Sequence, residues 1–152
     1  MDNDTLTAGH NLTSLQTFLI SERSKYPHAT GRYTMVLSAL SLAGKFIAAR
    51  CRRARLEDVL GSMGADNIQG EAQQKLDVIA NEALIRSLGS RPGVAVVASE
   101  EDENPIILSN DTSGERPYVV LFDPLDGSSN RDVCGSVGTI FSILLHDRRA
   151  AQ

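Results

Sequence analysis

Two short runs concentrate carboxylates in this chain. They are Ser99-Glu100-Glu101-Asp102-Glu103 and Asp123-Pro124-Leu125-Asp126-Gly127. A lone acidic run is most often a solvated loop, but each of these follows a nearly continuous apolar stretch. Val94–Ala98 and Tyr118–Phe122 are short and β-branched, as buried strands are. If the two strands are neighbours in one orientation, Glu100, Glu101, Asp123 and Asp126 converge at one sheet edge. Ligand sites of open α/β sheets lie at such edges. Four close carboxylates repel one another and raise each other's pKa unless cations neutralise them. Oxygen donors without a paired His or Cys select a hard ion, Mg2+ first and Mn2+ second. The three histidines, His10, His28 and His146, are scattered, and no helical zinc-protease pattern is present. The second run also lacks the alternating carboxylates of an EF-hand.

The second acidic run continues as Gly127-Ser128-Ser129-Asn130. Taken alone it is a tight Asp-Gly turn with ordinary turn residues. Beside a cation cluster, its backbone N–H groups and hydroxyls suit a phosphate. Pro124 fixes one backbone angle and so holds Asp123 and Asp126 in a set relation. Upstream, Glu71 and Asp77 lie near the start of an apolar-periodic segment. Glu71 is equally well a helix N-terminal acid, whereas Asp77 sits between Leu76 and Val78 and can accept a proton from an attacking water. No P-loop and no nucleophile elbow is present.

The elements that must position these groups are legible as periodicities. Leu12 to about Lys25 reads as a short helix opened by a Thr13/Gln16 capping box. Tyr33 to about Arg55 reads as a longer one, with Val36, Leu40, Ala43 and Ile47 on one stripe. Its arginine-rich end, Arg50, Arg52, Arg53 and Arg55, suits a solvated helix C-terminus. A Gly-punctuated stretch over 61–70 separates it from a third helix, Gln73 to about Leu88. Beyond Pro92 the pattern turns to strands, with Pro105–Leu108 weak and Gly138–Leu145 strong. Helices followed by strands predict an α/β layered helix–sheet sandwich with a mostly antiparallel or mixed sheet.

The 152 residues suffice for one domain with a real core. Fifteen Lys+Arg against 19 Asp+Glu leave a net charge of −4, which offers nucleic acid phosphates no general attraction. No apolar run approaches the ~20 residues of a membrane span, so no membrane partner is expected. Only two cysteines, Cys51 and Cys134, and an acidic start without a leader pattern point to a reducing, cytoplasmic setting.

At this point the residues resemble a family. Asp123-Pro-Leu-Asp-Gly-Ser-Ser-Asn130, Ser99-Glu-Glu-Asp102 and Gln69-Gly-Glu-Ala-Gln-Gln-Lys-Leu-Asp77 through Glu82 are similar to the class I fructose-1,6-bisphosphatases, in order from about Thr13 to about Leu145. Related inositol phosphatases share the Asp-Pro-hydrophobic-Asp-Gly core but usually continue with Thr, so Gly127–Asn130 favours the sugar bisphosphatase branch. The resemblance implies that Glu100, Glu101, Asp123 and Asp126, with the Leu125 carbonyl, are magnesium ligands. It implies that Asp126, Gly127, Ser128 and Ser129 contact the departing phosphate. It implies that Asp77, Glu71 and Glu101 help activate water. Thr30, Gly31, Thr34 and Tyr118 resemble the AMP-inhibitor site of regulated members. Arg32 stands there in place of a usual acid, and Pro117 in place of a common phosphate-binding lysine. Arg131 likewise replaces the usual apolar residue after Ser-Ser-Asn.

The activity implied is Mg2+-dependent removal of the 1-phosphate from fructose 1,6-bisphosphate by a homo-oligomer, a tetramer in the family. Domain organisation is then a flexible 1–11 followed by an N-terminal domain over 12–152, without the family's C-terminal half. Two alternatives stand beside it. One is an incomplete or regulatory half that binds metal or a partner without turnover. The other is a phosphatase for another ester such as an inositol phosphate.

Overall fold

The computed structural model describes residues 13–53, 62–66, 72–108, 117–127 and 136–146. In chain order the elements are α1 (Leu15–Arg23), α2 (Arg32–Arg53), β1 (Ser62–Asp66), β2 (Ala72–Gln74) and α3 (Lys75–Gly89). They continue as β3 (Val94–Ser99), β4 (Ile106–Ile107), β5 (Tyr118–Asp126) and β6 (Gly138–Leu145). The fold is α/β, with helices packed on a four-stranded mixed sheet of order β4-β3-β5-β6. β3 and β5 run parallel, while β4 and β6 pair antiparallel to them.

Two helical stripes make the core. Val36, Ala39, Leu40, Ala43 and Ile47 recur at 3–4-residue spacing on α2, and Leu76, Ala80, Leu84 and Leu88 repeat every fourth residue on α3. Both stripes share one cluster with Val94 and Val97 of β3 and Val120, Phe122 and Leu125 of β5. A fully buried aliphatic side chain contributes about 1.5–3 kcal/mol, so this layer carries most of the fold's stability. α2 is long and apolar enough, by length and composition, to cross a membrane, contrary to the sequence expectation. Its buried stripe, however, faces α3 and the sheet. Arg50 at its end stacks 5.0 Å over the Phe46 ring.

Several boundaries move. α1 is capped one residue later than expected: the Ser14 Oγ, not Thr13, accepts the Thr17 amide at 3.1 Å. Gln73 and Gln74 belong to β2, which forms an antiparallel ribbon with β1 inside the region read as a Gly-rich separator. β5 runs on through Asp126, so the second acidic run is strand rather than the loop after it.

The sheet's other face is open. The pairings Val119↔Leu144, Leu121↔Ser142 and Asp123↔Ile140 put these side chains on one surface. There Leu121, Ile140 and Leu144 are 40, 58 and 50% exposed.

Candidate functional site

The parallel pairing of β3 with β5 meets the condition set by the sequence. Ser99 pairs with Phe122, and the Glu100 amide donates to the Phe122 carbonyl at 3.0 Å. The first acidic run therefore leaves β3 beside the end of β5 that carries the second. Glu100 and Asp123 line one shallow depression of about 330 Å³ on the open face, beside Ala98, Leu121 and Ile140.

A bulge sets the spacing of the second run. Asp123 pairs with Ile140 and Asp126 with Gly138, so Pro124 and Leu125 together oppose Thr139 alone. In a regular strand, residues three apart face opposite sides. The extra residue cancels that inversion, and Asp123 and Asp126 come to one face, opposite β6 residues two apart. Pro124 has no N–H to donate to the ladder, which makes it an apt bulge residue. The Leu125 amide donates instead to Asp123 Oδ1 at 3.0 Å. Thr139 Oγ1 donates to the carbonyl of buried Pro124 at 2.9 Å and ties the bulge down. Gly127 then turns the chain at φ +78°, a conformation that favours glycine.

The electrostatics follow from this placement. Burial raises the Asp123 pKa above its ordinary 3.8, the Leu125 amide opposes that rise, and the carboxylates of Asp126 and Asp77 add to it. Asp77 lies on α3, 2% exposed. Asp126 on β5 and Asp77 on α3 thus both oppose ionisation of Asp123. Among the described residues, no three acid, imidazole or thiol side chains meet as a ready-made cation cage. In donor chemistry the residues nevertheless fit a hard divalent ion, since all are oxygens and the charges of Asp126 and Asp77 act against an ionised Asp123. Glu71, Ser128, Ser129, Arg131 and Cys134 lie outside the described residues, as do 1–12 and 147–152.

The structure also gathers Thr30, Gly31, Thr34 and Tyr118. They line one cavity of about 430 Å³ between α1 and the start of α2. The Tyr118 and Tyr33 rings meet there with centroids 6.0 Å apart. Two arginines take opposite courses. Arg23 lines the cavity and its guanidinium lies against Gly31, where a Cβ would come within 3.1 Å of Nη1. Arg32 instead lays its aliphatic stem over Gly93, at 3.1 Å from a would-be Cβ to Cδ. Sequence reasoning missed Arg23, Thr139 and Asn81. Only Asn81, one helical turn after Asp77, carried a readable signal.

A helix layer on a mixed sheet, with an acidic edge beside a parallel strand pair, defines an α/β helix–sheet domain. The sequence matches the family "Fructose-1-6-bisphosphatase, N-terminal domain" over residues 13–151. Solved fructose-1,6-bisphosphatase structures from Leishmania major are similar over 90% of this chain. The holo form superposes with a TM-score of 0.78 at 37% identity, and the apo form with 0.68 at 36%. The T-state structure gives 0.67 at 35% identity. The chain spans 40, 37 and 38% of the length of those three chains. It belongs to the fructose-1,6-bisphosphatase family, as an N-terminal domain.

Proposed function

We propose that this domain takes part in hydrolysing the 1-phosphate of fructose 1,6-bisphosphate, giving fructose 6-phosphate and inorganic phosphate. The observation that carries this reading is the parallel β3–β5 pair, which brings two acidic runs to one edge in a chain of this family. Glu100, Glu101, Asp123, Asp126 and the Leu125 carbonyl are the oxygens that would hold Mg2+ or Mn2+. When bound, such an ion supplies charge neutralisation and Lewis acidity at the phosphoryl group. Asp77, Glu71 and Glu101 serve as carboxylates that accept the proton of the attacking water. Water adds to phosphorus as it gives up that proton, the phosphorus bond to the C1 oxygen breaks, and the C1 oxygen takes up the proton the carboxylate accepted. Asp126, Gly127, Ser128 and Ser129 orient the departing phosphate through N–H and O–H donors, as positioning demands in phosphoryl transfer.

Phosphate release from fructose 1,6-bisphosphate in Mg2+, measured with and without chelator, tests this. Chelator-sensitive release supports it; faster release from an inositol phosphate would move the substrate to another ester. A second reading is favoured by one observation, the coverage of at most 40% of the compared chains. On that reading the chain binds metal or a partner without turnover, and metal-dependent stabilisation without phosphate release identifies it.

We also read the cavity holding Thr30, Gly31, Thr34 and Tyr118 as the remnant of an AMP site. Pro117 in place of lysine and the turned-away Arg32 weaken it toward a nucleotide phosphate. Homo-oligomer formation completes the proposal, supported by the exposed apolar side chains on α1, α2 and β6; the cytoplasmic setting is proposed from the cysteine count alone.

A further inference from the structure

α3 buries two polar side chains, Asp77 and Asn81, one turn apart and so on one face. They run beside the apolar stripe of Leu76, Ala80 and Leu84. Asp77 acts on Asp123, as described. Asn81 reaches the other acidic run: its Nδ2 donates to Asp102 Oδ2 at 3.1 Å across a sequence separation of 21. An asparagine 8% exposed in a helix interior is unusual on two grounds. It is a poorer helix former than the alanine or leucine that would pack there, and a buried amide must be satisfied. Here its Oδ1 is buried and has no partner among the described residues. The orientation is fixed by charge, because turning the amide over would set two oxygens against each other.

We infer that Asn81 is a positioning residue that anchors the β3–β4 turn and thereby sets Glu100 and Glu101 relative to the β5 acids. This inference rests on the cation-site reading above. The turn has two independent anchors. At its start, the Glu100 amide is bound to the Phe122 carbonyl of β5. At its end, the Asp102 carboxylate is bound to Asn81 of α3. Glu101 lies between them, its amide held by Ser99 Oγ at 3.2 Å. With both ends fixed, the turn cannot swing without breaking a backbone bond or a charge-assisted one. Asp102, though one residue from Glu101, is committed to the clamp. The helical face that carries buried Asp77 thus also holds the β3–β4 turn, through the bond of Asn81.

The test uses variants whose charge effect and positioning effect have opposite signs. Asn81→Asp brings another negative charge near a cation site, so electrostatics alone would tighten Mn2+ binding. Loss of the anchor lowers it instead, by about 10–100-fold, the usual consequence of removing a group that orients a ligand. Restoring the pair with donor and acceptor exchanged, Asn81→Asp with Asp102→Asn, recovers most of that loss at unchanged net charge. Mn2+ binding is read from the free-ion EPR signal on the full chain. Amide exchange at Glu101 and Asp102 in metal-free protein gives a second readout, faster in Asn81→Asp and restored in the exchanged pair. Because Asn81 is buried, Asp102→Asn on the half-exposed turn is the milder probe: its amide oxygen can still accept from Asn81. Amide exchange at Glu101 is therefore slower in it than in Asn81→Asp, and exchange as fast as in Asn81→Asp argues against the anchor. A wild-type chain that binds no Mn2+ refutes the cation reading and this inference with it. Wild-type binding alongside equal or tighter binding by Asn81→Asp refutes the positioning role alone.

Discussion

Thr139→Val isolates the tether of the β5 bulge. The side chains have nearly the same shape, so the substitution removes a hydroxyl and little else. That hydroxyl donates to the carbonyl of Pro124, whose residue is fully buried. Without it the carbonyl loses its side-chain donor in a place water cannot easily reach. Deleting one partner of a buried hydrogen bond costs about 1–3 kcal/mol, more than the ~1 kcal/mol net value of an average bond. Valine returns a few tenths of a kcal/mol, roughly, through its better strand propensity. A net loss of about 2 kcal/mol remains as the central expectation. For a domain of this size that lowers Tm by roughly 4–8 °C, at about 2–4 °C per kcal/mol.

Differential scanning calorimetry on metal-free protein measures this directly. The same variant loosens the segment that puts Asp123 and Asp126 on one face. Amide exchange at Leu125, whose N–H is held by Asp123 Oδ1, therefore accelerates. Ser142→Ala, on an exposed position of the same strand, leaves stability within about 0.5 kcal/mol of wild type, a Tm change of no more than about 2 °C, and serves as the control. An unchanged or raised Tm for Thr139→Val would show that the carbonyl finds another partner and that the bulge is not held by this side chain.

Four further outcomes follow from the same structure. Asp126→Ala abolishes any chelator-sensitive phosphate release, and an unchanged rate removes Asp126 from the site. Asp123→Asn raises the stability of metal-free protein at neutral pH: with its pKa raised above 3.8, wild-type Asp123 stabilises the fold fully below 3.8 and loses that contribution as pH rises through its folded value. Urea midpoints across this range check it, the variant lacking that pH step. Mg2+ at a hundred times its Kd stabilises the wild type by about 2.7 kcal/mol, an increment that chelator and the Asp123→Asn change both remove. Ile140→Lys with Leu144→Lys, on the open sheet face, shifts sedimentation toward monomer; an unchanged distribution places self-association elsewhere.

The two strands that matter most were legible because their signals are local. Val94–Ala98 and Tyr118–Phe122 are continuous β-branched runs, and no competing period obscures them. The α2 and α3 stripes were legible for the same reason. What the sequence obscured was the place where local preference and pairing disagree. Pro124 within Asp-Pro-Leu-Asp reads as a strand end, since proline has no ladder N–H. The chain stays in the strand there because β6 accepts a bulge and Thr139 supplies the bond that the ladder loses. Gln73 and Gln74 show the converse. They fit the helical pattern, but their backbone pairs with β1, a contact no periodicity announces.

The candidate site divides along the same line. Which residues carry negative charge is a property of composition and could be read at once. That they share an edge depends on β3 and β5 being parallel neighbours, which the sequence could only state as a condition. Parallel neighbours need a crossover, and the 18 residues between Ser99 and Tyr118 contain only the two-residue β4 among those described. β4 pairs back onto β3, on the side of the sheet away from β5. The β3–β4 turn thus lies where only β5 offers it support from the neighbouring strand. A turn so placed needs an anchor from another layer if its carboxylates are to keep a fixed position. α3 supplies one through Asn81, while its apolar stripe holds the same helix against β3 and β5. The geometry of the acidic edge is therefore set by helix–sheet packing as much as by the strands that carry the acids.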